Sequence, residues 1–155
     1  MISKTQMAKE LELIIKNGIR EDIGEGDHSS LACIPEDAKG QAKLLVKENG
    51  IIAGVEFAKM IFKEVDPDLK VETFLIDGDE VNLGDIVFYV TGSSQSILKS
   101  ERLVLNAMQR MSAIATKTKK FVNLLEVTHT KILETKKTTH RVRSIKKLSK
   151  KIFDV

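Results

Sequence analysis

Four basic side chains in two segments are of types that can bind anions, although each of them could also be a solvated surface residue. One of them, Arg102, lies in the sequence Glu-Arg-Leu-Val-Leu-Asn at residues 101–106. The other three lie in residues 133–143 and are Lys136, Lys137 and Arg143. An arginine fork binds a carboxylate through two parallel hydrogen bonds, and a lysine acts as a mobile point charge on phosphate. Side chains of these two types, where they converge, can bind ligands that carry carboxylate and phosphate groups.

A long helix is predicted to carry Arg102. From residue 96 to about residue 127 a broad set of apolar residues recurs at helical spacing. We expect at least one break in it near residues 112–116. The three later basic residues follow a short predicted strand at 131–135, and a basic helix from about Arg143 to Ile152 ends the sequence. A strand, a loop suited to binding phosphate and a helix, in this order, begin a parallel α/β unit.

The first ninety residues predict a small α+β unit. Its elements are helices near residues 4–23 and 55–64, and strands near residues 40–47, 71–76 and 86–90. The first helix is expected to end either near Gly18 or in the glycine-containing acidic segment at residues 21–27. Asn49-Gly50 is the strongest turn signal in the sequence, and we expect it to close a hairpin between the strand at 40–47 and the apolar residues after it.

The charge of the chain is distributed unevenly. Residues 136–155 contain eight Lys or Arg and one acid, so they carry +7, whereas the first 135 residues sum to −4. Such a tail suits a polyanion such as nucleic acid, or it is the solvated face of an amphipathic helix. Because the tail contains one aromatic residue, Phe153, stacking on bases is poorly supported. A small basic-tailed module that binds nucleic acid or another polyanion is the alternative function, and we expect nucleic acid not to be a partner.

Composition indicates a globular protein outside the membrane. The sequence is 42% hydrophobic and 30% charged, and it has no run of the roughly 20 apolar residues that a membrane helix needs. Its first residues lack the pattern of a secretory signal. The single cysteine, Cys33, excludes an internal disulfide and is expected to be buried. We therefore expect a cytoplasmic protein without a membrane partner. His28, His129 and His140 have no metal-ligand spacing, so no metal site is predicted.

Three segments resemble the quinolinate phosphoribosyltransferase family. The first is Glu-Asp-Ile-Gly-Glu-Gly-Asp-His-Ser-Ser at residues 21–30, which is similar to the family's N-terminal signature. The second joins residues 101–106 to Met-Ser-Ala-Ile-Ala-Thr at 111–116, and it is similar to the family's Glu-Arg-x-x-Leu-Asn helix and the Ser-Gly-Ile-Ala-Thr turn after it. The third, residues 133–143, resembles Asp-Thr-Arg-Lys-Thr-Thr-Pro-Gly-x-Arg at the end of the first barrel strand.

This resemblance implies a fold and an activity. The fold is an α+β domain at residues 1–115, an open antiparallel sheet packed by helices (an α/β sandwich). A long helix and the first βα unit of a truncated α/β barrel, residues 116–155, follow it. The reaction joins quinolinate to phosphoribosyl pyrophosphate and yields nicotinate mononucleotide, pyrophosphate and carbon dioxide, a step of NAD biosynthesis. Mg²⁺ accompanies phosphoribosyl pyrophosphate, and no cofactor is tightly bound.

The resemblance also assigns residues and a dimer. Arg102 is expected to reach quinolinate in the neighbouring subunit of a homodimer, and Lys136, Lys137 and Arg143 are expected to bind the substrates. No residue is assigned as catalytic. The apolar face that would meet the barrel is expected to be exposed, which favours dimerisation or aggregation.

Departures from the family's pattern lie in the third segment. Glu134 replaces Asp, Lys136 replaces Arg, and His140-Arg141 replaces Pro-Gly. Lysine lacks the planar fork that grips a carboxylate, so weaker quinolinate binding is expected. Because members of the family are nearly twice this length, we expect a truncated copy with little or no turnover alone.

Overall fold

A computed structural model describes residues 4–24, 28–125, 130, 132, 148, 149 and 152. The helices are α1 (Lys4–Ile23), α2 (His28–Cys33), α3 (Val55–Val65) and α4 (Ser94–Leu125). The strands are β1 (Lys39–Leu45), β2 (Gly50–Ile51), β3 (Lys70–Thr73), β4 (Glu80–Val81) and β5 (Ile86–Ser93). The predicted strand at 131–135 and nearly all of the predicted helix at 143–152 lie outside the described residues.

The larger sheet is antiparallel, with the strand order β1-β5-β3. Side chains alternate across it because successive residues of a strand point to opposite faces. Val90, paired with Ala42 and Val71, lies in the core, whereas the neighbouring row pairs Tyr89 with two exposed residues, Lys43 and Glu72. The predicted α+β class, with an open antiparallel sheet packed by helices and a long helix after it, is confirmed.

The predicted hairpin at Asn49-Gly50 is wrong. β2 pairs with β4 and not with β1, whose neighbour is β5. Leu83 donates its N–H to Oδ1 of Asn49 at 2.7 Å, and Ile52 donates to the carbonyl of Asp79 at 3.0 Å. The Asn49-Gly50 segment therefore connects β1 of the larger sheet to β2 of the two-stranded sheet. The hydrogen-bond partners of this segment lie about thirty residues later in the sequence.

The core lies between the sheet and the helices. Ile61 and Phe62 of α3 are 0% and 3% exposed, and the ring of Phe62 meets that of Phe88 edge-to-face at 5.7 Å. Leu11 and Ile15 of α1 complete the same cluster. Since the apolar positions of α1 and α3 recur every three or four residues, each helix turns one face to this core.

The N-terminus of α3 is capped from a distant loop. Gly54, at its N-cap, has no side chain, and Oδ1 of Asp77 accepts hydrogen bonds from the N–H groups of Gly54 and Val55 at 2.6 and 2.7 Å. A carboxylate at this end also interacts favourably with the helix dipole. Asp77 therefore ties the loop after β3 to the start of α3.

Helix α4 is continuous, so the break predicted near residues 112–116 is wrong. The hydroxyl of Ser112 accepts from Ala53 N at 3.0 Å and donates to Ala53 O at 3.2 Å. The Thr116 hydroxyl accepts from Ile51 N at 2.9 Å. The two hydroxyls thus satisfy backbone groups of β2 and of the residues that lead to α3, and the helix continues through both positions. The predicted domain boundary at 115/116 lies inside this helix, and the division there stays a prediction.

Replacing these hydroxyls should destabilise the protein measurably. We expect Ser112→Ala and Thr116→Val each to lower the free energy of unfolding by about 1–3 kcal/mol, since a partly buried N–H group loses its acceptor. Urea unfolding followed by circular dichroism measures the loss. Thr118→Val on the same helix lies outside this contact and serves as the control. A loss for Thr118→Val equal to that for Thr116→Val would contradict the assignment.

Two surface features complete the fold. Cys33 is exposed, contrary to the prediction that it is buried. On the same short helix, α2, Leu31 is 60% exposed. Of the helices in the described ranges, none combines the length and apolar character that crossing a membrane requires.

Candidate anion-binding site

Helix α4 presents Arg102 to solvent. Its buried side is formed by residues at helical spacing, among them Val104, Met108 and Met111, which are 2–3% exposed. Arg102 lies away from this side, and its side chain is 77% exposed. A guanidinium group in this position keeps donors available for an incoming anion. The prediction that Arg102 is a binding residue is therefore compatible with its position, and its role stays a prediction.

The end of α1 lies beside Arg102. A Cβ atom at Gly18 would come within 2.8 Å of Cδ1 of Leu103, so α1 and α4 cross closely at this point. One turn further along α1, Oδ1 of Asp22 lies 3.9 Å from Nε of Arg102. This contact joins the first and second motif segments, which are separated by about eighty residues in the sequence. Sequence reasoning assigned no role to Asp22.

The other predicted site residues cannot be compared with this geometry. Lys136, Lys137 and Arg143 lie outside the described residues, as do Glu134, His140 and Arg141. Their convergence with Arg102 stays a prediction. Near the end of the chain, Leu148 and Ser149 are helical, and Leu148 and Ile152 pack against the core.

A large apolar groove runs between the strands and the second half of α4. Its volume is about 930 Å³, and Leu44, Val81, Leu105 and Phe121 are among its lining residues. Part of this surface is open, since Leu105 is 42% exposed, Phe121 50% and the adjoining Leu124 71%. Exposed apolar side chains are therefore present along the second half of α4. That they form the face that would meet the barrel stays a prediction. Arg102 is not among the residues that line the groove.

One surface ion pair on α1 has shifted pKa values. Lys16 donates a hydrogen bond to Glu12 at 2.6 Å, which lowers the pKa of Glu12 and raises the pKa of Lys16. Both side chains are more than half exposed and one helical turn apart, which is the geometry of an ordinary surface pair. In the part of the chain that the structure describes, no three His, Cys, Asp or Glu side chains are grouped to hold a metal ion.

Comparison with known proteins agrees with the motifs. Residues 27–112 match the family model described as quinolinate phosphoribosyl transferase, N-terminal domain. The nicotinate-nucleotide pyrophosphorylase (carboxylating), chloroplastic, of Oryza sativa subsp. japonica is 46% identical over 139 residues, which are 89% of this chain and 37% of the rice protein. The mitochondrial quinolinate phosphoribosyltransferase (decarboxylating) 2b of Nicotiana tabacum is 45% identical, over 89% of this chain and 39% of its own length.

Solved structures of nicotinate-nucleotide pyrophosphorylases are similar to this chain. NadC from Streptococcus pyogenes superimposes with a TM-score of 0.86 at 28% identity, over 98% of this chain and 53% of that one. The nicotinate-nucleotide pyrophosphorylase from Francisella tularensis also has a TM-score of 0.86 at 28% identity, over 93% and 51%. The chain thus spans about half the length of these structures and about two fifths of the plant relatives.

Proposed function

This chain belongs to the quinolinate phosphoribosyltransferase family, and we propose that it supplies the N-terminal domain of an enzyme that makes nicotinate mononucleotide. The reaction consumes quinolinate and phosphoribosyl pyrophosphate and releases pyrophosphate and carbon dioxide. The observation that carries the proposal is the match of residues 27–112 to the family's N-terminal domain, which includes the helical motif around Arg102.

The proposed chemistry requires fixed positive charge. Quinolinate carries two carboxylates, and phosphoribosyl pyrophosphate carries a phosphate and a pyrophosphate. Two polyanions repel unless cations placed in advance compensate for that repulsion. Arg102 would bind a quinolinate carboxylate through its fork, and Lys136, Lys137 and Arg143 would bind the remaining anionic groups. Mg²⁺ would enter with phosphoribosyl pyrophosphate, as part of that substrate.

A homodimer is part of the proposal. Arg102 lies on an exposed surface of α4. A small ligand is bound more tightly where its surface is largely enclosed, so a second surface facing Arg102 would strengthen binding. A second subunit would provide that surface, and the apolar groove beside α4 would supply further contact area. Equilibrium sedimentation of the purified protein tests this directly, because a monomer at all concentrations would exclude it.

We propose a cytoplasmic location for the protein, without a nucleic-acid or membrane partner. The single cysteine, exposed on α2, suits a reducing compartment. The rice and tobacco relatives are named chloroplastic and mitochondrial, so fractionation of the source cells is the deciding measurement.

Quinolinate binding tests the proposed function through Arg102. Removing one partner of a charge-assisted hydrogen bond costs roughly 1.5–3 kcal/mol, so we expect Arg102→Ala to weaken binding by about ten- to a hundredfold. Isothermal titration of quinolinate into the purified protein measures the dissociation constant. Binding is the appropriate assay because it measures the contact between Arg102 and quinolinate directly, whereas turnover also requires phosphoribosyl pyrophosphate.

The control for this titration is Arg110→Ala. Arg110 is exposed on the same helix, two turns after Arg102, so its removal changes the net charge equally. If both substitutions weaken binding by the same factor, the interaction is a general charge effect. If the wild-type protein binds no quinolinate, the proposed function fails.

A further inference from the structure

The end of α1 lies beside α4 because Gly18 allows the two helices to approach. Any side chain at this position would meet Leu103, the residue next to Arg102, at 2.8 Å. Asp22 follows Gly18 by four residues, which is one helical turn, and therefore projects from the same side of α1. The close crossing thus determines how near the Asp22 carboxylate comes to Arg102.

The two side chains of this pair differ in exposure. The Asp22 side chain is 25% exposed and that of Arg102 is 77% exposed. The side chain of Asp22 is therefore less accessible to solvent than that of Arg102, whose guanidinium projects into solvent. Oδ1 approaches Nε at 3.9 Å, which is the distance of an ion pair and too long for a hydrogen bond. An approach at Nε leaves the two terminal nitrogens of Arg102 available.

Those two terminal nitrogens can still form a fork. A guanidinium has five N–H donors in one plane, so one edge can bind a carboxylate while Nε faces another. An exposed arginine samples many rotamers, and fixing it on binding costs affinity. A carboxylate that restrains Nε beforehand would reduce that cost.

We propose that Asp22 is a positioning residue, which orients the guanidinium of Arg102 so that its terminal nitrogens bind a carboxylate of the substrate. This inference rests on the proposed function for the identity of that substrate. It gives Asp22, which lies in the first motif segment, a role in the site built around Arg102 of the second motif segment. The contact itself does not depend on quinolinate and can be measured without it.

Charge alone makes the opposite prediction for the same residue. Asp22 is negative and lies next to the cation that binds an anion, so its field opposes the binding of quinolinate. If Asp22 acted only through its charge, Asp22→Asn would strengthen quinolinate binding. If Asp22 positions Arg102, the same substitution weakens binding because the guanidinium loses its restraint. The sign of the change therefore separates the two effects.

The experiment combines dynamics and affinity on the purified chain. The motion of Arg102 Nε is measured by ¹⁵N relaxation, with exposed Arg110 as the internal reference and Arg102→Lys to assign the signal. We expect Arg102 Nε to be more restricted than Arg110 Nε in the wild type and equally mobile in Asp22→Asn. We expect the quinolinate dissociation constant, from isothermal titration, to rise about three- to tenfold in Asp22→Asn.

Glu21→Gln is the matched control. It removes one negative charge from the exposed neighbouring position of α1 without touching the Arg102 contact, so it reports the purely electrostatic change. Unchanged Nε motion in Asp22→Asn, or binding that is equal or tighter, overturns the positioning role. Absence of quinolinate binding by the wild type would instead overturn the proposed function, and the Nε measurement would still decide whether Asp22 restrains Arg102.

Discussion

Phe62→Ala is expected to lower the free energy of unfolding by about 3–5 kcal/mol, the range seen when a buried aromatic ring is removed. Phe62 is 3% exposed and lies between α3 and the central strand β5. Its edge-to-face contact with Phe88, at 5.7 Å between ring centroids, is lost together with the buried area. Since small domains have only about 5–15 kcal/mol of total stability, this substitution should leave the protein marginally folded.

Phe74→Ala is the control for this prediction. Phe74 makes the same kind of contact, an edge-to-face pair with Tyr89 at 5.6 Å, but its side chain is 52% exposed. The loss should therefore be close to that of the aromatic pair alone, about 0.5–1.5 kcal/mol. Urea unfolding of both variants gives the comparison. Equal losses would mean that the core does not lie between α3 and β5.

Local patterns predicted α1, α3 and the three strands of the larger sheet, because the cause of each pattern is local. The apolar spacing of α1 and α3 reflects one face against the core. Helix α3 ends one residue beyond its predicted end, and α1 continues past Gly18 to Ile23. The alternation of Ala42, Leu44 and Val46 likewise predicted β1. The resemblance to a known family gave the arrangement of these elements, which periodicity alone does not contain.

Contacts between distant segments account for the predictions that were wrong. Asn49-Gly50 is a good turn sequence, but Leu83 and the strand β4 determine which strand follows it. Ser112 and Thr116 suggest an interruption of α4 when the sequence of that helix is considered alone. Their partners, the backbone N–H groups of residues 51 and 53, lie in a distant segment. In each case a polar side chain was interpreted within its own segment, whereas its hydrogen bond belongs to another.

The candidate site likewise has one residue that a local motif identifies and one that only a contact between distant segments reveals. Arg102 could be identified from its motif because the motif is contiguous. Asp22 could not be connected to it, since their proximity follows from the crossing of α1 and α4 at Gly18 and Leu103. A glycine inside a helical pattern was the available signal, because it costs about 1 kcal/mol relative to alanine, and close approach of another helix is one reason for a helix to contain it.

Gly54→Ala is expected to be the second strongly destabilising change, at about 2–6 kcal/mol. Gly54 has φ +100°, where an L side chain is strained by about 1–3 kcal/mol. A Cβ atom there would also lie 3.0 Å from Sδ of Met111 and 3.3 Å from Cγ of Met108. Crowding of this kind in a packed core costs about 1–3 kcal/mol more. Urea unfolding at neutral pH measures the sum.

Gly84→Ala separates the two contributions. Gly84 has a nearly identical φ, +97°, but a Cβ atom there meets nothing within 4 Å, so this variant reports backbone strain alone. The difference between the two variants is then the cost of crowding against α4. If that difference is zero, Met108 and Met111 have moved aside, which their flexible side chains permit. If it is large, the start of α3 is held rigidly against α4, the helix that also presents Arg102.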